Sequence, residues 1–176
     1  MRSRRPHAVL AAALVALASA LVATIAMADT AAQPRPFDAK TLGALKREYA
    51  GHPFVLSFWS IHCEPCREEM PLWRAMRARF PGVPIVLVQA DPPGEEGAER
   101  FLARDDPGPV RLYRYADEFE ERIRYAVDPR WRGELPRNYF FDATHRVKVV
   151  TGVADSRWCL RWFSEAARAP KRQHSG

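Results

Sequence analysis

The sequence predicts an α/β protein, a three-layer sandwich with a mixed central sheet, and three features of its apolar pattern carry that expectation. Residues 53–60 and 84–90 are nearly continuous apolar runs rich in β-formers, the pattern of central strands covered on both faces. Segments of helical period alternate with these runs, which is the order of crossover-linked parallel strands. The C-terminal third changes pattern. Two short runs, 138–141 and 147–151, flank a turn at 142–146 and read as an antiparallel hairpin, followed by one last helix. A chain of 176 residues with 47% hydrophobic content accommodates one such domain with an ordinary core. An aromatic content of 11% and glycines without a period exclude a disordered or collagen-like chain, and three cysteines are too few for a disulfide-stapled miniprotein.

The chain opens with an address rather than with the domain. Arg2, Arg4 and Arg5 precede residues 8–28, which carry no charge and end Ala26-Met27-Ala28 ahead of Asp29. These are the n-region, apolar stretch and small-x-small site of a secretory signal peptide. The uncharged stretch also exceeds the usual apolar core of about 7–15 residues and is just long enough to span a bilayer. Residues 1–28 are therefore either a cleaved signal peptide or an uncleaved membrane anchor. In both cases the arginines stay inside and the domain lies outside the cytoplasm, which in a bacterium is the periplasm. That location permits oxidised cysteine pairs and holds no chromosomal DNA. The net charge of +6 does not point to nucleic acid. The three leader arginines supply half of it, and later basic residues are interleaved with acids, as in Arg67-Glu68-Glu69 and Glu120-Glu121-Arg122.

Residues 29–37, with Pro34 and Pro36, read as a linker. Asp38 is placed to cap a helix over 38–50, with Leu42, Leu45 and Tyr49 on one face and Gly51 at its end. After the strand at 53–60, a helix is expected over 64–80 with Met70, Trp73, Met76 and Phe80 as its stripe. Pro71 either kinks this helix or ends its first part; the apolar period resumes beyond it, which favours the kink. The strand at 84–90 is followed by a turn at 91–94, a short helix over 95–104 and a weakly alternating strand at 110–115. Asp117 then opens a helix through Tyr125, and 128–135 form a loop containing Pro129 and Trp131. The last helix is expected over 155–169, with Trp158, Trp162 and Ala166 on its apolar side. The folded domain is expected over 38–170, with 171–176 as a disordered tail.

The chemistry-bearing feature is Cys63-Glu64-Pro65-Cys66, at the junction of the first central strand and the helix after it. Three helical steps put both Cβ atoms on one face of the first turn, within reach of a disulfide. The unpaired N–H groups and the positive dipole end there stabilise a thiolate, and Pro65 needs no N–H in the first turn. Cys63 is then the exposed, acidic attacking thiol, and Cys66, one turn deeper, the resolving thiol. The alternatives are a metal site and an inert disulfide. A four-cysteine zinc site needs a second C-x-x-C, which is missing. A dithiol with two histidines stays arithmetically open, although the five histidines show no H-x₃₋₅-H spacing. A disulfide closing so small a loop would stabilise little. Copper(I) held by the two soft thiolates and a histidine, in a periplasmic copper-binding protein or chaperone, is the alternative function.

The segment Ser57-Phe-Trp-Ser-Ile-His-Cys-Glu-Pro-Cys-Arg-Glu-Glu-Met-Pro71 resembles the active-site strand–helix unit of thioredoxin-fold proteins. It is most similar to the exported TlpA/ResA-like thiol–disulfide oxidoreductases, with Phe58, Trp59, Cys63, Pro65, Cys66, Glu69 and Pro71 at matching positions. The later segment Gly133-Glu-Leu-Pro-Arg-Asn-Tyr-Phe-Phe-Asp142 resembles the proline element of the same family, and the likeness extends over residues 37–169. The resemblance implies a thioredoxin fold and an enzyme that exchanges its dithiol with protein thiols and disulfides, without a cofactor. It further implies recycling by a membrane thiol reductase and a reducing role, with apocytochrome c before haem attachment as one candidate substrate. It implies that Pro136 is cis, faces the dithiol and exposes the backbone of Leu135 for strand-like pairing with a substrate. Finally, it implies a role for Glu69 in thiol proton transfer. A partly buried carboxylate with a raised pKa would take the Cys66 proton, and the plain alternative is a solvated helix charge.

The departures from the family pattern bear on the same groove. His62 replaces the usual tryptophan before the first cysteine and joins Leu135 and Pro136 as a candidate substrate-binding residue. Protonated, it favours the Cys63 thiolate; neutral, it is an exposed loop residue. Glu64 leans the other way, toward a reducing dithiol. Ser57 stands where thioredoxin itself has a buried acid, which moves the proton burden to Glu69 or to water. Arg137-Asn138 replaces a frequent pair of threonines, so a change in substrate contacts is expected. Trp131, in the inserted Pro129-Arg-Trp-Arg132 segment, is either a docking aromatic or a core residue. Cys159 lies alone beside the apolar stripe of the last helix and reads as an inert buried thiol rather than a third redox group.

Overall fold

The computed structural model describes residues 34–169. The leader or anchor expected over 1–28 and the tail expected over 171–176 lie outside the described residues. Six strands form one sheet in the order β1 (Arg35–Phe37), β4 (Arg111–Tyr115), β3 (Ile85–Gln89), β2 (Phe54–Trp59), β5 (Arg137–Phe141) and β6 (Val147–Thr151). The first four in this order are parallel, β5 pairs antiparallel with β2, and β6 pairs antiparallel with β5. The helices are α1 (Thr41–Glu48), α2 (Glu64–Arg79), α3 (Ala98–Arg104), α4 (Glu120–Val127) and α5 (Ser156–Arg168). Among the described residues, no helix is long and apolar enough to cross a membrane.

The two apolar runs are the middle of the sheet. Every residue of β2 and β3 is buried, because both strands have a neighbour on each edge and helices on each face. The two-residue period of a strand sorts their side chains between two cores. Phe54, Leu56 and Phe58 of β2 join Leu42, Leu45, Ile123, Tyr139 and Phe141 on the α1/α4 side. Val55 and Trp59 join Met70, Trp73, Phe140, Cys159 and Phe163 on the α2/α5 side. Ser57 and Asn138 fall on that second side by the same alternation, as does Gln89 of β3, so this layer mixes buried polar residues with its apolar core.

Four boundaries differ from expectation, each for a local reason; one is α3, which starts at Ala98 rather than at residue 95, after Gly97 in the left-handed region at φ 107°. Residues 35–37 are not linker: prolines that resist helix are tolerated in an edge strand, and β1 pairs with β4 while Phe37 is fully buried. Asp38 is not the helix cap. Its Oδ1 accepts from the Lys40 N–H at 2.9 Å and the Thr41 hydroxyl at 2.7 Å, making a turn that delays α1 to Thr41. Asp117 does the same with the Phe119 N–H at 2.9 Å, so α4 starts at Glu120. Helix α2 continues through Pro71.

Candidate active site

Strand β2 ends at Trp59, and a short loop delivers Cys63 to the start of α2. That loop is held from below by Asp91, which is 5% exposed just past the end of β3. Its Oδ1 accepts from the Ser60 hydroxyl, and its Oδ2 accepts from the Ile61 N–H at 3.1 Å and the Gln89 amide at 3.0 Å. The Ser60 oxygen in turn accepts from the His62 N–H at 3.1 Å. In the sequence Asp91 reads only as the start of a turn. An acid directly behind a continuous apolar strand is the signal that marks it, since a carboxylate buried there needs several donors.

Cys63 and Cys66 form a disulfide with Cα atoms 5.2 Å apart. Cys63 has extended backbone angles and caps α2: its sulfur accepts from the Cys66 N–H at 3.2 Å, and its carbonyl accepts from the N–H groups of Cys66 and Arg67. The same N–H and the helix dipole favour negative charge on Cys63 once the disulfide opens. Cys63 is partly exposed and Cys66 is fully buried. One sulfur is therefore reachable and the other shielded. Glu64 pairs with Arg67 at 2.6 Å on the outer face of the turn. The His62 ring is 71% exposed, with Nε2 3.1 Å from Glu95 Oε1.

The β2/β5 register pairs Phe58 with Arg137. The residues just beyond this pair are the loop leading to Cys63 on one side and Pro136 on the other, so both segments emerge at one end of the sheet. The Leu135–Pro136 peptide is cis. Pro136 is buried, with its carbonyl accepting from the Gly152 N–H at 2.9 Å, while Leu135 is half-buried. Leu135 and Cys63 both pack against the α2/α5 core. Trp131 is a core residue, 3% exposed, with its ring 4.7 Å from that of Phe58 and its indole N–H donating to the Glu134 carbonyl at 3.0 Å. It ties the inserted segment under the proline loop and is not a docking aromatic. Gly133 turns the chain at φ 105°, where an L side chain is strained. A second tie is ionic: Arg137 Nη2 lies 2.8 Å from Asp128 Oδ2, and Nη1 donates to Thr151 Oγ1 at 2.6 Å.

Glu69 is not a solvated charge. It is 1% exposed, and its Oε1 accepts from the Asn138 amide at 2.7 Å and the Ala154 N–H at 2.9 Å. Burial pushes its pKa up to about 7 against the opposing pull of these two donors and of the Trp73 indole. Asn138 is fully buried and contacts Glu69, so the expectation that it reshapes substrate contacts is corrected. Cys159 is a free, fully buried thiol whose pKa is pushed up to about 12, by burial first and then by the Glu69 charge. Among the described residues, no three His, Cys, Asp or Glu side chains come together as a metal site would need.

No protein-family model matches the sequence, and no curated protein matches it. Solved structures do match. A secreted disulfide oxidoreductase of Mycobacterium tuberculosis, described as homologous to E. coli DsbE, aligns at 19% identity and a TM-score of 0.54, over 68% of this chain and 85% of its own. A Chlorobium tepidum protein described as a putative thiol:disulfide interchange protein DsbE aligns at 23% identity and 0.53, over 69% and 84%. The thioredoxin domain of a Bacteroides vulgatus thiol–disulfide oxidoreductase aligns at 16% identity and 0.56, over 68% and 81%. The likeness shows the fold: residues 34–169 adopt the thioredoxin fold.

Proposed function

We propose that the protein is an exported thiol–disulfide oxidoreductase of the TlpA/ResA-like kind, acting on protein substrates as a reductant. The observation that carries this reading is the Cys63–Cys66 disulfide at the mouth of α2, with one sulfur reachable, at the same sheet end as the cis-Pro136 loop and three residues before a buried acid. The solved relatives whose names describe disulfide oxidoreductases and interchange proteins support it.

In the reducing direction, the Cys63 thiolate attacks one sulfur of a substrate disulfide. A mixed disulfide forms, and the first substrate sulfur leaves as a thiolate. Cys66 passes its proton to the Glu69 carboxylate, and the resulting thiolate attacks the Cys63 sulfur. The Cys63–Cys66 disulfide closes and the second substrate sulfur leaves, so two electrons have moved from the dithiol to the substrate. A membrane thiol reductase returns the oxidised form to the dithiol. His62 and the backbone of Leu135 and Pro136 line the groove where an extended substrate segment lies. The charged start of the chain and its uncharged stretch support a periplasmic domain, either released by cleavage or tethered. Apocytochrome c is the substrate that the family resemblance favours.

The wild-type protein is expected to accelerate dithiothreitol-driven reduction of insulin well above dithiothreitol alone, and Cys63→Ser to abolish the gain. A folded wild-type protein with no rate above background would overturn the reading. The reducing direction further requires a dithiol potential more negative than about −150 mV, read by equilibration with glutathione.

A further inference from the structure

A buried polar row crosses the α2/α5 side of the sheet behind the dithiol. Ser57 on β2 and Asn138 on β5 are register partners in the antiparallel ladder, both 0% exposed. Asn138 reaches across to α2, where Nδ2 donates to Glu69 Oε1 at 2.7 Å, joining two residues 69 positions apart in the chain. The Ala154 N–H, at the entry to α5, donates to the same oxygen at 2.9 Å. Both bonds thus converge on Oε1 and leave Oε2 outside the pair. The Ser57 hydroxyl and Asn138 Oδ1 have no hydrogen-bond partner among the described residues. Leaving two buried polar atoms unpaired carries an uncompensated desolvation cost. An apolar pair on β2 and β5 would remove that penalty, so the sheet accepts a cost to present an amide donor to Glu69.

We infer that Asn138 is a positioning residue that fixes the Glu69 carboxyl through Oε1, keeps Oε2 for the proton exchanged with Cys66, and sets the acidity of that carboxyl. The inference rests on the proposed thiol–disulfide chemistry for its purpose, but not for its geometry. A carboxylate held by two donors on one oxygen can gain and lose a proton on the other without either contact breaking, because the carbonyl oxygen of the protonated form still accepts. Each donor is nevertheless worth more to the anion than to the acid. Removing the Asn138 donor therefore favours the protonated form. The groups facing Glu69 from the elements around it are few. On α2 itself there are Cys66 and the indole N–H of Trp73, which does not titrate, and α5 offers Cys159, whose thiol stays neutral below about pH 12. Asp155 at the cap of α5 is exposed, and its carboxylate accepts from the Trp158 N–H. Strands β2 and β5 present Ser57 and Asn138, which do not titrate. A shift on changing Asn138 is accordingly a property of the Glu69 contact.

The test is a direct titration of the Glu69 carboxyl by ¹³C NMR in the full oxidised protein, assigned by its loss in Glu69→Gln. Asn138→Leu, close to isosteric, is expected to raise the midpoint by about one pH unit. Asn138→Thr, which retains a donor hydroxyl, is expected to raise it less and serves if the leucine variant fails to fold. The pH profile of insulin reduction should move with the midpoint, and in a Glu69→Gln background the same substitutions should move nothing. An unmoved midpoint in both variants, or a profile shift that persists in the Glu69→Gln background, overturns the inference while leaving the dithiol chemistry standing. A midpoint that moves in a protein without any disulfide exchange upholds the geometry and instead overturns the proposed function.

Discussion

The Glu69→Gln protein is expected to resolve its mixed disulfide about a hundredfold more slowly than wild type at neutral pH, the usual loss when a general base is removed. Glutamine keeps a carbonyl oxygen for the Asn138 amide and the Ala154 N–H, so the fold around position 69 is retained while the proton acceptor is lost. Wild type should show a rate limb that rises as pH passes through about 7, where Glu69 ionises, and the variant should lack it. Stopped-flow measurement of mixed-disulfide decay across pH checks both statements. Stability should change in the opposite sense. A carboxyl whose folded pKa is raised from 4.5 to about 7 disfavours its own ionisation in the native state. Wild type therefore holds its full stability below about pH 4.5 and loses it progressively up to about pH 7. Glutamine has no such loss. Urea unfolding should find the variant favoured at about pH 8 by roughly 3 kcal/mol relative to the same comparison at about pH 4. Slower chemistry with greater stability at alkaline pH would mark Glu69 as a residue maintained for proton transfer against its folding cost.

The second large effect is expected at the ionic tie beneath the proline loop. Asp128→Ala should destabilise the protein by about 3 kcal/mol, because it leaves the Arg137 guanidinium largely buried without its counter-charge. The two side chains are 9% and 13% exposed, and the contact is 2.8 Å. Burial alone would raise the Asp128 pKa, but the Arg130 N–H and the Arg137 guanidinium outweigh it and hold the carboxyl below the usual aspartate range. A group with a depressed folded pKa stabilises at all pH above its unfolded value, and that contribution disappears only as acid protonates it in the native state. The cost of Asp128→Ala should thus be constant through neutral pH and shrink in acid. Arg137→Met combined with Asp128→Ala should cost far less than the two single changes added together, since neither charge is then stranded. Denaturant unfolding of the four proteins measures this. Asp128 also accepts from the Arg130 N–H at 3.0 Å, so the single variant should in addition loosen the 128–135 segment that carries Leu135 to the groove.

Much of this molecule was legible in the linear pattern, and what was not has a common cause. The nearly continuous apolar runs of β2 and β3 announce central strands because burial on both faces leaves few polar positions. Cys63-Glu64-Pro65-Cys66 at the following helix start announces the dithiol because local geometry alone brings the sulfurs together. Hydrogen bonds between distant positions cannot be read this way. Asp91 reaches Ser60 from 31 residues away, Asn138 reaches Glu69 from 69, and Ala154 from 85. Each is set by strand order and register, which periodicity does not specify. Asn138 did leave a trace, as one amide among the apolar residues of β5, and so did Ser57 opposite it. Such residues in a central strand indicate a buried polar partner even when the partner cannot be named. Trp131 had two open readings because an aromatic in an inserted loop is equally suited to core and surface; the Phe58 ring beside it decides for the core.

The most direct test is the identity of the thiol that captures substrate. Cys66→Ser, presented with a protein disulfide or produced in a periplasm, should accumulate mixed disulfides that reducing agents release, and peptide mass spectrometry should find every one of them attached through Cys63. Attachment through Cys159, or a well-folded Cys66→Ser protein that captures no partner while its Cys63 thiol reacts freely with a small disulfide, would contradict the account.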